Sequence, residues 1–127
     1  MSLGIKLYNY LLQDMEITDL VSNRIYPLAA PGEAQKPYLA FRIVSDSSEY
    51  TLEGDSIQGR KQIQISVVFE DYAQANNIAV VLEQEMSKWT ASETDIRIIT
   101  KTGYAEIYEE TTEIKRINLD FEVFAKN

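Results

Sequence analysis

Residues 58–89 change hydrophobic period midway, and this change constrains the chain more than any other feature. The first part alternates apolar with polar positions, which is typical of a strand that buries one face; its apolar members are Ile63, Ile65, Val67 and Phe69. The second part repeats apolar residues at three- and four-residue spacing, which predicts an amphipathic helix. That stripe consists of Ala75, Ile78, Ala79, Leu82, Met86 and Trp89. Because each element is apolar on one side, the strand and the helix are expected to pack against each other.

Two acidic residues, Glu70 and Asp71, lie where the period changes. An aspartate at this place predicts the N-cap of the helix, and Gln74 three residues later has the spacing of a capping box. Negative charge at a helix N-terminus also interacts favourably with the helix dipole. We therefore interpret these acids as capping groups and not as a chemical site.

The remaining patterns predict one α+β domain over residues 1–127, in the order α-β-β-α-β-β. A helix is predicted at residues 3–14, followed by a short helical turn at 17–21 and an extended segment at 24–27. Strands are predicted at 37–44, 96–101 and 116–125, with a short edge segment at 104–108 after a turn or bulge at Gly103. The expected architecture is an antiparallel sheet of about four strands with two main helices packed on one face.

Composition closes off most enzyme chemistry, because the chain has no cysteine and no histidine. Thiolate nucleophiles, disulfides, cysteine-bound zinc and the commonest general base are therefore excluded. Three carboxylates, Glu109, Glu110 and Glu113, form the obvious candidate for acid–base work or a bound divalent cation. Runs of charge more often form a solvated surface, and we favour that interpretation. The expectation is a protein that is not an enzyme and that has no cofactor.

Charge and hydrophobicity limit the possible partners. The formal net charge is −8, so the surface is expected to repel nucleic-acid phosphates, although an acidic wall would suit a channel through which DNA passes. No stretch approaches the roughly 20 apolar residues that span a bilayer, and the first residues lack the pattern of a secretory signal. We therefore expect no membrane partner, and the lack of cysteine fits folding in the cytoplasm.

Two polar segments interrupt the strand patterns and are the candidate sites of protein contact. Residues 28–36 form a loop by composition, and residues 45–57 are too long for an ordinary hairpin turn. The longer segment is either a long, partly paired hairpin arm or a mobile loop. Arg60 and Lys61 beside it are expected to pair with acidic residues of a neighbouring copy. The candidate interface residues are Pro31, Glu33, Tyr50, Leu52, Glu53, Asp55, Arg60 and Lys61.

The order of these features resembles the tail-completion or tail-terminator proteins of long-tailed bacteriophages and related prophages. The resemblance rests on four stretches: the first helix with its ending at residues 21–27, the Ala30-Pro31-Gly32 loop leading to Pro37-Tyr38-Leu39, the polar segment followed by the strand over residues 62–71, and the helix over residues 73–89. It implies a virion protein that forms a ring, commonly a hexamer, at the head-proximal end of the tail tube after assembly in the host cytoplasm. Its partners would be further copies of itself, the tail-tube protein and the head connector, with DNA only as passing cargo.

Two other functions stay open at this point. One is a tail-tube or neck-adaptor subunit of the virion. The other is a carboxylate-dependent, metal-binding enzyme that uses the Glu109, Glu110 and Glu113 cluster.

Overall fold

A computed structural model describes residues 2–50, 57–89 and 96–126, with side chains at 2–44, 61–89 and 99–124. The elements are α1 (Leu3–Gln13), α2 (Met15–Val21), β1 (Ile25–Pro27), β2 (Tyr38–Tyr50), β3 (Ile57–Phe69), α3 (Tyr72–Ser87), β4 (Ile96–Glu109) and β5 (Ile114–Lys126). The five strands form one sheet in the order β1-β2-β3-β5-β4. β1 pairs with β2 in parallel, and every other neighbouring pair is antiparallel. The fold is therefore α and β mixed, with a mostly antiparallel sheet, as the sequence predicts in outline.

The helices bury their apolar stripes against one face of the sheet. All six residues of the predicted stripe are buried, and they join the alternating residues of β3 in a single core cluster. The Asp71 side chain accepts hydrogen bonds from the backbone N–H groups of Ala73 and Gln74 at 3.0 and 3.4 Å. The predicted strand, N-cap and helix are thus confirmed. In the part of the chain that the structure describes, no helix combines the length and the hydrophobicity needed to cross a bilayer.

Two predictions about the first third of the chain were wrong in detail. The segment predicted as a short turn is a full helix, α2, because Asp14 caps it by accepting hydrogen bonds from the N–H groups of Glu16 and Ile17 at 2.9 and 3.3 Å. The extended segment before Pro27 is a fifth strand, β1, which aligns Ile25 with Leu39 of β2. A three-residue strand is too short for a detectable period, so only pairing with β2 defines it.

The strand predicted at residues 96–101 and the edge segment at 104–108 are one continuous strand, β4. The register shifts between Lys101 and Gly103, where Gly103 lies opposite Asp120. A Cβ atom on Gly103 would lie only 2.7 Å from the Asp120 carboxylate. Glycine therefore lets the strand continue through a bulge instead of ending there.

Candidate assembly surfaces

The polar segment over residues 45–57, called the arm below, has two paired ends, and residues 51–56 between them lie outside the described residues. Its strands are the ends of β2 and β3, paired from Ser45 opposite Gln62 to Tyr50 opposite Ile57. A register shift between Ile43 and Ser45 marks the point where the arm leaves the core. The six residues from Ser45 to Tyr50 extend about 20 Å. Of the two alternatives for this segment, the described residues show the partly paired hairpin arm.

The candidate interface residues fall into separate groups. Tyr50 ends β2, and Arg60 and Lys61 lie on β3 opposite Ser47 and Asp46. Leu52, Glu53 and Asp55 lie outside the described residues. Pro31 and Glu33 are exposed on the loop before β2. That loop adjoins the start of β2, whereas the arm forms the other end of β2, about 40 Å away at the rise of a strand. One subunit therefore does not bring the loop residues and the arm residues together.

The loop over residues 28–36 is anchored at its first residue. Leu28 has a φ of 68°, its backbone N–H donates to the Phe41 carbonyl oxygen at 2.7 Å, and its side chain is 78% exposed. This geometry turns the chain over the sheet face that is opposite the core. The large apolar side chain of Leu28 then lies at the rim of that face. Leu28, Ala29 and Ala30 form one wall of a concavity on that face.

This concavity, called the open sheet face below, has a volume of about 340 Å³. It lies across β2, β3 and β5 and is lined by Leu28, Ala29, Ala30, Tyr38, Ala40, Phe41, Arg42, Gln64, Ser66, Val68, Ile114, Arg116 and Asn118. Its floor contains the row of Ala40, Ser66 and Asn118, which are paired across the strands. Sequence alternation placed these residues on outward positions, but only the strand order β2-β3-β5 puts them side by side.

Hydrogen bonds between side chains order the floor of the open sheet face. Arg42 Nε donates to Gln64 Oε1 at 3.0 Å, and Gln64 Nε2 donates to Asp120 Oδ1 at 3.1 Å. Ser66 Oγ lies 2.7 Å from Asn118 Oδ1 and donates to it. Gln64 Oε1 and Asn118 Oδ1 each accept one of these bonds, and the N–H donors left on this floor are those of the Asn118 amide and the rest of the Arg42 guanidinium.

Arg116 brings a second guanidinium to the open sheet face. Its Nη2 lies 2.6 Å from Glu109 Oε1, while its Nε is buried and has no hydrogen-bond partner among the described residues. Burial also raises the pKa of the neighbouring Tyr38 phenol. A buried N–H donor without an acceptor is costly, and because this atom is buried a ligand reaches it only if the Arg116 side chain moves.

The carboxylate cluster does not have the geometry of a metal site. Glu109 is neutralised by Arg116 and accepts a hydrogen bond from Thr112 Oγ1 at 3.1 Å. Glu110 and Glu113 are exposed in the turn between β4 and β5, and Glu113 has a φ of 57°. Within the described ranges no three potential ligands converge on one point. The arrangement is that of a hairpin turn with one ion pair.

A second surface lies on the free edge of the sheet, where β4 meets the start of α3. Glu106 Oε2 accepts hydrogen bonds from the hydroxyl groups of Tyr72 and Tyr104, the latter at 2.7 Å. These bonds lower the pKa of Glu106 and raise the pKa of Tyr104 to about 12. Lys101 pairs with Glu83 of α3 at 2.7 Å. The sequence offered no signal for this cluster, because its members are far apart along the chain.

The comparisons with known proteins agree with this fold. A family model described as "Tail completion protein gp17" matches residues 5–126. A comparison with curated proteins found no match. Among solved structures, a chain of the "Virion of native gene transfer agent (GTA) particle" superposes with a TM-score of 0.77 and 17% sequence identity, over 99% of this chain and 96% of that one; at that identity the likeness shows the fold alone. Since the family model spans nearly the whole chain, this protein belongs to the tail completion protein gp17 family and is a structural protein of phage tails.

Proposed function

We propose that this protein caps the head-proximal end of the phage tail tube as a ring, a hexamer as the family resemblance implies. The ring would end tube polymerisation and present the surface that joins the head.

 The observation that carries the proposal is the arm, a paired hairpin that extends the sheet by about 20 Å past the point where β2 leaves the core. In a protein of the tail completion family, a projection of this kind supports contacts with other chains.

The two ends of β2 differ in a way that supports ring formation. One end carries the arm, and the other adjoins the loop over residues 28–36 and the open sheet face. When two different surfaces of identical subunits meet only once in each interface, the contact is head-to-tail, and it closes into a ring when the rotation between neighbours allows it. A closed ring has no free end, so it would stop growth of the tube.

The charge of the chain supports a place on the path of DNA. A net charge of −8 repels phosphate groups, so a channel lined by this protein would let DNA pass without binding it. We propose further copies of this chain, the tail-tube protein and the head connector as its partners, with contacts made by the arm and by the loop over residues 28–36.

Electron microscopy of the concentrated protein, alone and mixed with tail tubes, tests this proposal. We expect closed rings of fixed size, located at one end of each tube. A tube subunit would instead polymerise into long tubes, and a neck adaptor would bind the head connector without arresting tube growth. Either result would replace the proposed function with that alternative.

Deleting residues 49–55 tests the role of the arm. Ser48 and Gly59 are paired, so the shortened chain keeps Ser56, Ile57 and Gln58 as a three-residue hairpin loop, a length that hairpins accept. The core should stay intact, with an unchanged circular dichroism spectrum, while rings and tail joining should be lost. Rings and joined tails at the level of the unaltered protein would show that the arm is not an assembly element.

A further inference from the structure

We infer that the open sheet face of one subunit is the receptor for the acidic arm of the next copy. This inference rests on the proposed ring and names the contact that would hold it together. The partner is a second copy of this chain, and the chemistry is recognition of carboxylates by arginine and amide donors.

The receptor offers N–H donors from Arg42 and Asn118. Arg42 uses only its Nε within the described residues, so the rest of its guanidinium can bind a carboxylate. Arg116 is already paired with Glu109 and its Nε is buried, so the exposed Arg42 supplies the available positive charge. Asn118 adds its amide N–H groups, because only its oxygen is bonded, to Ser66. A ligand for such a surface has to bring oxygen acceptors, and negative charge strengthens every one of these bonds.

The arm has the complementary composition. Residues 49–55 contain Glu49, Glu53 and Asp55 and no basic residue. They also contain Tyr50 and Leu52, which suit the apolar wall around the exposed Leu28. The segment therefore matches the receptor both in charge and in its apolar part.

Geometry excludes the arm of the same subunit. β2 runs from the floor of the receptor at Ala40 straight to the arm, and Tyr50 is ten residues farther along, or about 33 Å at the rise of a strand. Because the arm is paired with β3 over this distance, it points away from its own receptor. Only a neighbouring copy can place an arm there, and in the proposed ring this contact is head-to-tail.

Disulfide trapping tests the inference cleanly, because the chain has no cysteine of its own. The test variant carries Ser56→Cys beside the acidic residues and Ala40→Cys in the receptor floor. The matched control carries Ser56→Cys and Ser87→Cys, which lies exposed on the helical side of the sheet. Both variants are oxidised in their assembled form, alone or on tail tubes, and separated on a denaturing gel without reductant.

We expect the test variant to give a ladder that stops at the number of subunits in the ring, and the control to stay monomeric on the gel. Arg42→Glu added to the test variant should lower the crosslinked fraction severalfold, and Asp55→Arg added to that should restore part of it. Rings seen by microscopy without this ladder, or with an equal ladder in the control, would overturn the inference and leave the proposed function standing. A monomer under every condition, including with tubes, would overturn both.

Discussion

Replacing Leu82 by Ala tests whether the stripe of α3 is core or a surface for partners. Leu82 is 0% exposed and lies in the core cluster with residues of the sheet. The change removes three carbon atoms, which corresponds to about 2 to 2.5 kcal/mol of lost burial. The cavity left behind raises the expected loss to about 2–5 kcal/mol of unfolding free energy. For a domain of this size, a loss of about 3 kcal/mol lowers Tm by on the order of 10 °C.

Urea unfolding followed by circular dichroism measures this loss, with Val80→Ala as the matched control. Val80 lies on the same helix but is 52% exposed, so its truncation should change stability by no more than about 0.5 kcal/mol. Equal and small effects of both changes would refute the assignment of Leu82 to the core. The stripe would then have to face another chain.

Three further predictions concern polar contacts. Asp71→Ala should destabilise the protein by about 0.5–2 kcal/mol through loss of the N-cap, and Asp71→Asn, which keeps an acceptor, should recover most of it; equal losses in urea unfolding would argue against capping. The pKa of Glu106 is lowered by hydrogen bonds from Tyr72 and Tyr104, so its contribution to stability is present above the ordinary value of 4.5 and is lost as the pH falls through the lowered pKa. The Tm difference between the unaltered protein and Glu106→Gln should therefore shrink in acid, and a difference independent of pH would contradict this. In Glu106→Gln the pKa of Tyr104 should also fall from about 12 toward 10.0, as measured by ultraviolet titration against Tyr104→Phe; an unchanged value would show that Glu106 is not the cause.

Local sequence patterns were sufficient to predict the strand and the helix whose buried residues recur at a regular spacing. The alternation from Ile63 to Phe69 and the helical spacing from Ala75 to Trp89 are both confirmed by burial. Each pattern repeats several times within one element, so the period is readable without knowledge of the neighbours. Family resemblance added the assignment to phage tail completion, which the family model over residues 5–126 confirms.

Sequence patterns did not predict the elements that are defined by pairing with another strand. β1 has three residues and exists through its pairing with β2, and β4 continues past Gly103 because β5 stays paired on the other side of the bulge. The sequence left the conformation of the arm open for the same reason. A polar sequence pairs as a hairpin only when the register of β2 and β3 continues beyond the core.

The sequence by itself determined the core strand and helix, the helix cap and the acidic, cysteine-free and histidine-free chemistry of the chain. Only the tertiary structure decided that Arg42, Ser66, Asn118 and Arg116 share one concave face, because they come from three strands whose order is not written in any local period. Side-chain alternation gives the face of each residue, and strand order gives its neighbours. A binding surface needs both, and the second depends on contacts between residues that are distant along the chain.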